Sequence, residues 1–203
     1  MPGRSKRTTA AGRPQRVARD LHDLVEAFCA PVDDSFLLHL AVRLAAILKV
    51  EFVELAELRP GSDSLARTLV LLAHGQQTAN VEYALRNTPG ERVIDRGFCC
   101  FASGVQEAFP QDHMLAGMGA HGYAGAPLVD SFGRILGWIA VLDSRPLSDA
   151  GRVEPILRLF ACRAAVELER ERADKLFLNS VLERVGAAPA ASVTTDSFGP
   201  KAV

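Results

Sequence analysis

The chain has 203 residues, 48% of them hydrophobic, and a formal net charge of −1 at neutral pH. This length is sufficient for one hydrophobic core with extensions, and the balanced charge gives no reason to expect binding to nucleic acid or a membrane surface. The longest apolar segment, Phe36 to Val50, contains His39, Arg43 and Lys49, so we expect no membrane-spanning helix. Four cysteines without regular spacing are too few for a secreted disulfide scaffold and favour a cytoplasmic protein.

Both ends of the chain have the composition of disordered tails. Residues 1–16 are rich in Lys and Arg and contain no acidic residue, and residues 187–203 are rich in Ala, Pro, Ser and Thr. The basic tail lacks the aromatic residues that single-strand nucleic-acid binders use, so we do not expect it to bind nucleic acid.

Two amphipathic helices are predicted after the basic tail. The first covers Val17 to Phe28 and stops before Pro31. The second covers Leu37 to Leu48, and its apolar stripe is expected to lie on a sheet.

Three strands are predicted next along the chain. Phe52 to Leu58 alternates apolar residues with glutamates, which is typical of a strand, and it ends before Pro60. The short apolar run Leu69 to Ala73 predicts the second strand, and Val81 to Leu85 predicts the third.

The regular periodicity disappears between Arg86 and Gly122. Thr88 and Pro89 predict the start of a short helix with Thr88 as its cap, and Asp112 to Met118 predicts another. A stretch of about 35 residues with little regular structure inside a compact domain is more often functional than incidental. We therefore expect this segment to form a pocket.

The rest of the chain is organised around Tyr123 to Leu147, which predicts two strands joined by a turn. The second strand, Arg134 to Asp143, is apolar at both alternating sets of positions, as is typical of a central strand covered on both faces. Asp130 can cap the turn, and Gly133 tolerates the positive φ that it needs. The pattern predicts an α+β fold, with helices packed on one face of an antiparallel sheet and the irregular segment on the other.

A long helix is predicted after Ser148 or Asp149, and its inner stripe comprises Leu157, Ala161, Ala164 and Leu168. The segment Glu167 to Lys175 is charged on all faces, and a second apolar set precedes Gly186, consisting of Leu178, Val181, Leu182 and Val185. Because this helix is longer than one core requires, its distal part needs a partner. We expect a homodimer formed through the N- and C-terminal helices.

The motif from Tyr123 to Leu128, followed by Asp130, Gly133 and Gly137, resembles that of the GAF domain, a small-molecule sensory module with a PAS-like fold. The resemblance spans about Asp34 to Arg172 and continues through Thr88-Pro89, Gly104-Val105-Gln106, Phe109-Pro110, Val141-Leu142-Asp143 and the helix Ile156 to Leu168. Gly90 departs from the pattern, since a cysteine often stands there.

The resemblance implies a bacterial sensory domain over residues 17–186, of the type that precedes PAS, histidine-kinase or GGDEF domains. We expect it to stand alone, to bind an unidentified small molecule, and to relay the signal through dimer helices to a separate partner such as a histidine kinase. No other cofactor and no catalytic residue are expected.

A ligand pocket in the irregular segment would combine aromatic side chains with a few polar groups. The candidate ligand-binding residues are Phe98, Cys99, Phe101, Phe109, His113, Met114, His121, Tyr123 and Trp138. Core packing is an equally good explanation for the aromatic members of this set. A metal site is not expected, because adjacent residues Cys99 and Cys100 would point to opposite sides of a strand, and no second cysteine or histidine pair completes a zinc site.

Two alternatives remain open. One is a ligand-free protein–protein or dimerisation module with a closed core. The other is a thiol-based reductase related to the free methionine sulfoxide reductases, in which Cys99 or Cys100 would need a cationic neighbour to lower its pKa. GAF domains that attach a bilin often have His after the reactive cysteine, whereas Phe101 follows here.

Overall fold

The computed structural model describes residues 35–62 and 64–186, together with Val25. The two predicted tails, and the predicted helix Val17 to Phe28 apart from Val25, lie outside the described residues. The chain divides into two compact units, Met1–Glu169 and Arg170–Val203. The fold below is that of the first unit; the described part of the second unit is helical as far as Gly186.

In the described part of the chain, seven strands form one antiparallel sheet. They are β1 Phe52–Leu58, β2 Leu65–Ala73, β3 Gln76–Gln77, β4 Glu82–Ala84, β5 Cys99–Phe101, β6 Gly122–Val129 and β7 Ile135–Asp143. The order across the sheet is β3-β2-β1-β7-β6-β5, and β4 also pairs with β2. The predicted hairpin strands β6 and β7 are therefore neighbours, and β7 is central as expected.

The helices of the described residues are α1 Phe36–Leu48, α2 Pro89–Arg96, α3 Val105–Ala108, α4 His113–Met118 and α5 Ala150–Gly186. Three of them begin where the sequence predicts: α2 after Thr88, α4 after Asp112 and α5 after Asp149. Thr88 caps α2 by accepting a hydrogen bond from the backbone N–H of Glu91 at 3.3 Å. No helix among these residues is both long enough and apolar enough to cross a bilayer.

One face of the sheet packs against α1 and the first-unit part of α5. Leu44 of α1 and Phe160 of α5 belong to the same buried apolar cluster as Val53, Ile139 and Val141 of the central strands. The opposite face carries a second cluster, supplied by the segment between β4 and β6. Helices on one face and an irregular segment on the other confirm the predicted fold class.

The hairpin turn is held by one buried carboxylate. Asp130 Oδ1 accepts hydrogen bonds from the backbone N–H groups of Phe132 at 2.9 Å and Arg134 at 2.8 Å. Gly133 has a φ of 82°, which is the conformation expected for it. The pairing shifts by one residue between Leu128 and Val129, so a bulge accompanies the turn.

The structure differs from the prediction in the short elements and in one strand face. β3, β5 and α3 were not predicted, because two to four residues carry no detectable period. The alternation in β1 is typical of a strand with one solvated face, yet Glu54 and Glu57 are both buried. The reason is that β1 lies between β2 and β7 and is covered on both faces.

Candidate functional site

A small cavity lies on the sheet face opposite α1 and α5. Its volume is about 10 Å³, which is room for about one water molecule. Its walls come from β1, β4, β6 and β7 and from the helices α2 and α4. The lining residues are Glu54, Tyr83, Thr88, Pro89, Gly90, Asp112, Met114, Leu115, Met118, Tyr123 and Leu142.

Glu54 brings a carboxyl group to this cavity from the central strand β1. Its side chain is 4% exposed, and its two oxygens accept hydrogen bonds from the Tyr83 hydroxyl and, at 3.4 Å, from Trp138 Nε1. Burial raises the pKa of Glu54 to about 7, against the lowering effect of these two hydrogen bonds. The carboxyl group therefore exchanges between its neutral and charged forms near neutral pH.

Tyr123 brings a second buried polar group, on β6. Its side chain is 2% exposed, and its hydroxyl has no hydrogen-bond partner within the described part of the chain. Gly125 makes room for this hydroxyl, because a Cβ atom at Gly125 would lie 2.6 Å from it. An unsatisfied buried hydroxyl costs about 1–3 kcal/mol. A donor or acceptor in the cavity would remove that cost.

The helix α2 packs closely on the sheet beside the cavity. A Cβ atom at Gly90 would lie 2.5 Å from Trp138 Cζ2, so the indole ring occupies the space that any larger residue would need. This contact gives a physical reason for a glycine at position 90. Trp138 is in turn fixed by its hydrogen bond to Glu54.

The helix α4 contributes the acidic group of the opposite wall. Asp112 caps this helix, since its Oδ1 accepts from the backbone N–H groups of Met114 at 3.0 Å and Leu115 at 3.2 Å. Burial raises the pKa of Asp112, and the two backbone hydrogen bonds oppose that rise. The lining thus contains two carboxyl groups, and none of its members is Lys, Arg or His.

Comparison with known proteins was informative only at the level of structure. No family model and no curated protein match the chain. Its structure is similar to the chromophore-binding domain of a bacteriophytochrome from R. palustris, with a TM-score of 0.61 and 10% identity over 83% of this chain. The chain spans 65% of that domain.

Two single GAF domains match over nearly their whole length. The GAF domain of an Acinetobacter phosphoenolpyruvate-protein phosphotransferase gives a TM-score of 0.60 and 11% identity, covering 79% of this chain and 97% of that one. The nlh2 GAF domain of A. aeolicus gives a TM-score of 0.56 and 15% identity, covering 78% of this chain and 98% of that one. The chain has the GAF fold.

Some of the predicted ligand-binding residues lie at the cavity. Met114 and Tyr123 line it, and Trp138 supports it through Glu54 and Gly90. Cys99, Phe101 and Phe109 belong to the apolar cluster on the same face but do not line the cavity.

The other predicted residues lie elsewhere. Phe98 packs against the cluster on the helix-covered face, His113 is exposed at the start of α4, and His121 is partly exposed outside the lining. Sequence reasoning missed Glu54, Tyr83 and Asp112 as site residues. These three contribute two carboxyl groups and a hydroxyl group to the lining of the cavity.

Cys99 and Cys100 have the opposite environment to a reactive thiol. Cys99 packs in the cluster on the cavity side and Cys100 against the helix-side cluster, as expected for adjacent strand residues. Burial raises the pKa of Cys99 to about 11, with a smaller lowering by Arg92, and burial also raises the pKa of Cys100. Among the described residues, no group of three His, Cys, Asp or Glu side chains is placed to hold a metal ion.

Proposed function

We propose that this chain is a non-catalytic sensory or regulatory GAF domain that binds a small molecule in the cavity between the sheet and the helices α2 and α4. The observation that carries the proposal is the Tyr123 hydroxyl, which is buried and has no partner among the described residues, on a residue that lines the cavity together with Glu54. Buried polar groups that lack partners cost free energy, so an unpartnered hydroxyl on a residue that lines the cavity is better explained by a ligand than by core packing.

Signal relay would pass through β7. Leu142 lines the cavity, whereas its neighbour Val141 belongs to the cluster that includes Leu157 and Phe160 of α5. A ligand that displaces Leu142 would therefore change the packing of the first-unit part of α5. The exposed face of that part carries Leu159, Cys162 and Val166 at heptad-like spacing, and a second copy would cover it.

Native mass spectrometry of gently purified protein tests both parts. We expect a homodimer that carries a reproducible extra mass, with the mass lost in a Tyr123→Phe/Glu54→Gln double variant that remains dimeric. A protein without extra mass, and without stabilisation by any member of a metabolite library in thermal unfolding, would overturn the ligand-binding proposal.

One observation favours a second candidate, the ligand-free protein–protein or dimerisation module. A cavity of about 10 Å³ admits no more than a water molecule unless its walls move. If the walls do not move, the purified protein would be a dimer that retains no small molecule. The Tyr123→Phe/Glu54→Gln double variant would then still form the dimer and bind its partner. A separate signalling protein such as a histidine kinase would be the partner in either case.

A further inference from the structure

We propose that the cavity selects a small organic cation, an ammonium or guanidinium compound, through Glu54, Asp112 and the Tyr123 hydroxyl. This inference rests on the proposed ligand-binding function and adds the chemical class of the ligand. The cavity has carboxyl groups on two walls and no cationic side chain in its lining. A carboxylate or phosphate ligand would meet repulsion there without a compensating partner, because like charges in a buried site strongly oppose each other.

The hydrogen-bonding capacity of the site fits a donor-rich ligand. Each Glu54 oxygen already accepts one bond, from Tyr83 or Trp138, and retains capacity for another. Asp112 uses Oδ1 to cap α4, and its Oδ2 makes no hydrogen bond with the described residues. The Tyr123 hydroxyl is a free acceptor as well. The lining residues thus offer acceptors on β1, on β6 and before α4, and an ammonium or guanidinium group carries several N–H donors for such acceptors.

The remaining lining is also suited to a cation. The rings of Tyr83 and Trp138 meet edge to face, with their centroids 6.4 Å apart, and Tyr83 and Tyr123 border the cavity directly. Aromatic faces attract ammonium and guanidinium groups. Met114 and Met118 line the side formed by α4 and are only partly buried. Methionine side chains repack easily, so these two provide a way for the cavity to enlarge for a ligand.

Charge on Glu54 makes the proposed affinity depend on pH. The groups that face Glu54 are Tyr83 on β4, Trp138 on β7, Tyr123 on β6 and Asp112 before α4. With the pKa of Glu54 near 7, about a tenth of the carboxyl groups are charged at pH 6 and about nine tenths at pH 8. Cation binding would therefore tighten by up to about tenfold between these two pH values.

The test uses probes of matched size and different charge on the full chain. Calorimetry and thermal unfolding compare n-butylammonium and methylguanidinium with n-butanol and butyrate, at pH 6 and pH 8. We expect binding of the two cations, tighter at pH 8, and no binding of butyrate. Equal binding of butanol or butyrate would overturn the cation preference, as would failure of both cations to bind at millimolar concentrations.

Variants locate the site on the structure. Glu54→Gln should weaken cation binding at least tenfold and remove its pH dependence, and Asp112→Asn should weaken it while keeping the helix cap, because Asn also caps helices. Glu57→Gln is the matched control, because Glu57 is buried on the same strand, pairs with Arg67 and does not line the cavity. Unchanged cation binding in Glu54→Gln would overturn the inference. Retention of a neutral or anionic molecule in native mass spectrometry would overturn this inference while leaving the proposed function intact.

Discussion

Glu54 shows how a single residue changes the interpretation of a site. A glutamate on an alternating strand is expected to face water. Here β1 pairs with β2 and β7, and the carboxyl group of Glu54 is buried against Tyr83 and Trp138. The Tyr83 and Trp138 hydrogen bonds offset part of the cost of burial, and the pKa of Glu54 nevertheless rises to about 7. Such a group is costly to the fold when charged, and its presence is more easily explained by binding than by stability.

The pH dependence of stability tests this description of Glu54. Its pKa is about 4.5 without burial and about 7 in the folded protein, so the folded state binds the proton more tightly. The contribution to the free energy of unfolding is therefore fully present below pH 4.5 and is lost as pH rises through 7, by about 3 kcal/mol in total. Urea unfolding at pH 5 and pH 8 should show that Glu54→Gln is less sensitive to pH than the unmodified protein.

The matched control for this measurement is Glu57→Gln on the same strand. Glu57 pairs with Arg67 at 2.5 Å, and its replacement should leave the loss of stability between pH 5 and pH 8 in place. Identical pH profiles for Glu54→Gln and the unmodified protein would contradict the assigned protonation of Glu54.

At the scale of elements, the sequence predicts the helices and strands that have a long apolar pattern or a recognisable residue at their start. The hairpin is predictable because β7 is apolar at both alternating sets of positions. The helix α2 is predictable because Thr88 and Pro89 mark its start. The cavity was not visible, because Glu54, Tyr83 and Asp112 are far apart in the chain and meet only through sheet pairing and the packing of α4. The aromatic residues of the irregular segment were easy to notice, yet most of them pack in the core beside the cavity.

The packing of α2 on β7 can be tested with one methyl group. In Gly90→Ala the new Cβ atom would lie 2.5 Å from Trp138 Cζ2, so helix and ring must move apart. Overpacking of this kind costs about 1–3 kcal/mol. We expect the free energy of unfolding to fall by that amount and the tryptophan fluorescence of the native protein to change.

Gly117→Ala on α4 is the control for this change. A Cβ atom at Gly117 meets nothing within 4 Å, and alanine is the better helix former, so stability should stay constant or rise slightly. Equal effects of the two substitutions would show that α2 does not depend on close contact with Trp138.

At the scale of the whole molecule, the proposed relay requires a second copy on the exposed side of α5. Leu159 is 43% exposed and Val166 is 60% exposed, seven residues apart on the face turned away from the core of the first unit. In the second unit, considered by itself, Leu176, Phe177, Leu178 and Leu182 are also exposed. The seven-residue spacing of Leu159 and Val166 is typical of one side of a helix pair, parallel or antiparallel.

Light scattering with size-exclusion chromatography decides whether this pair forms. The unmodified protein should be a dimer at tens of micromolar, and a Leu159→Lys/Val166→Lys double variant should be a folded monomer, because four introduced charges would meet across a two-fold interface. Phe132→Lys is the control: Phe132 is 79% exposed but lies in the hairpin turn, so its replacement should leave the dimer intact. An unmodified protein that is monomeric, or a double variant that stays dimeric, would remove α5 from the relay.

A monomeric double variant that binds the cation probes with unchanged affinity would show that one copy of the chain is sufficient for ligand recognition. The second copy would then serve only to transmit the signal.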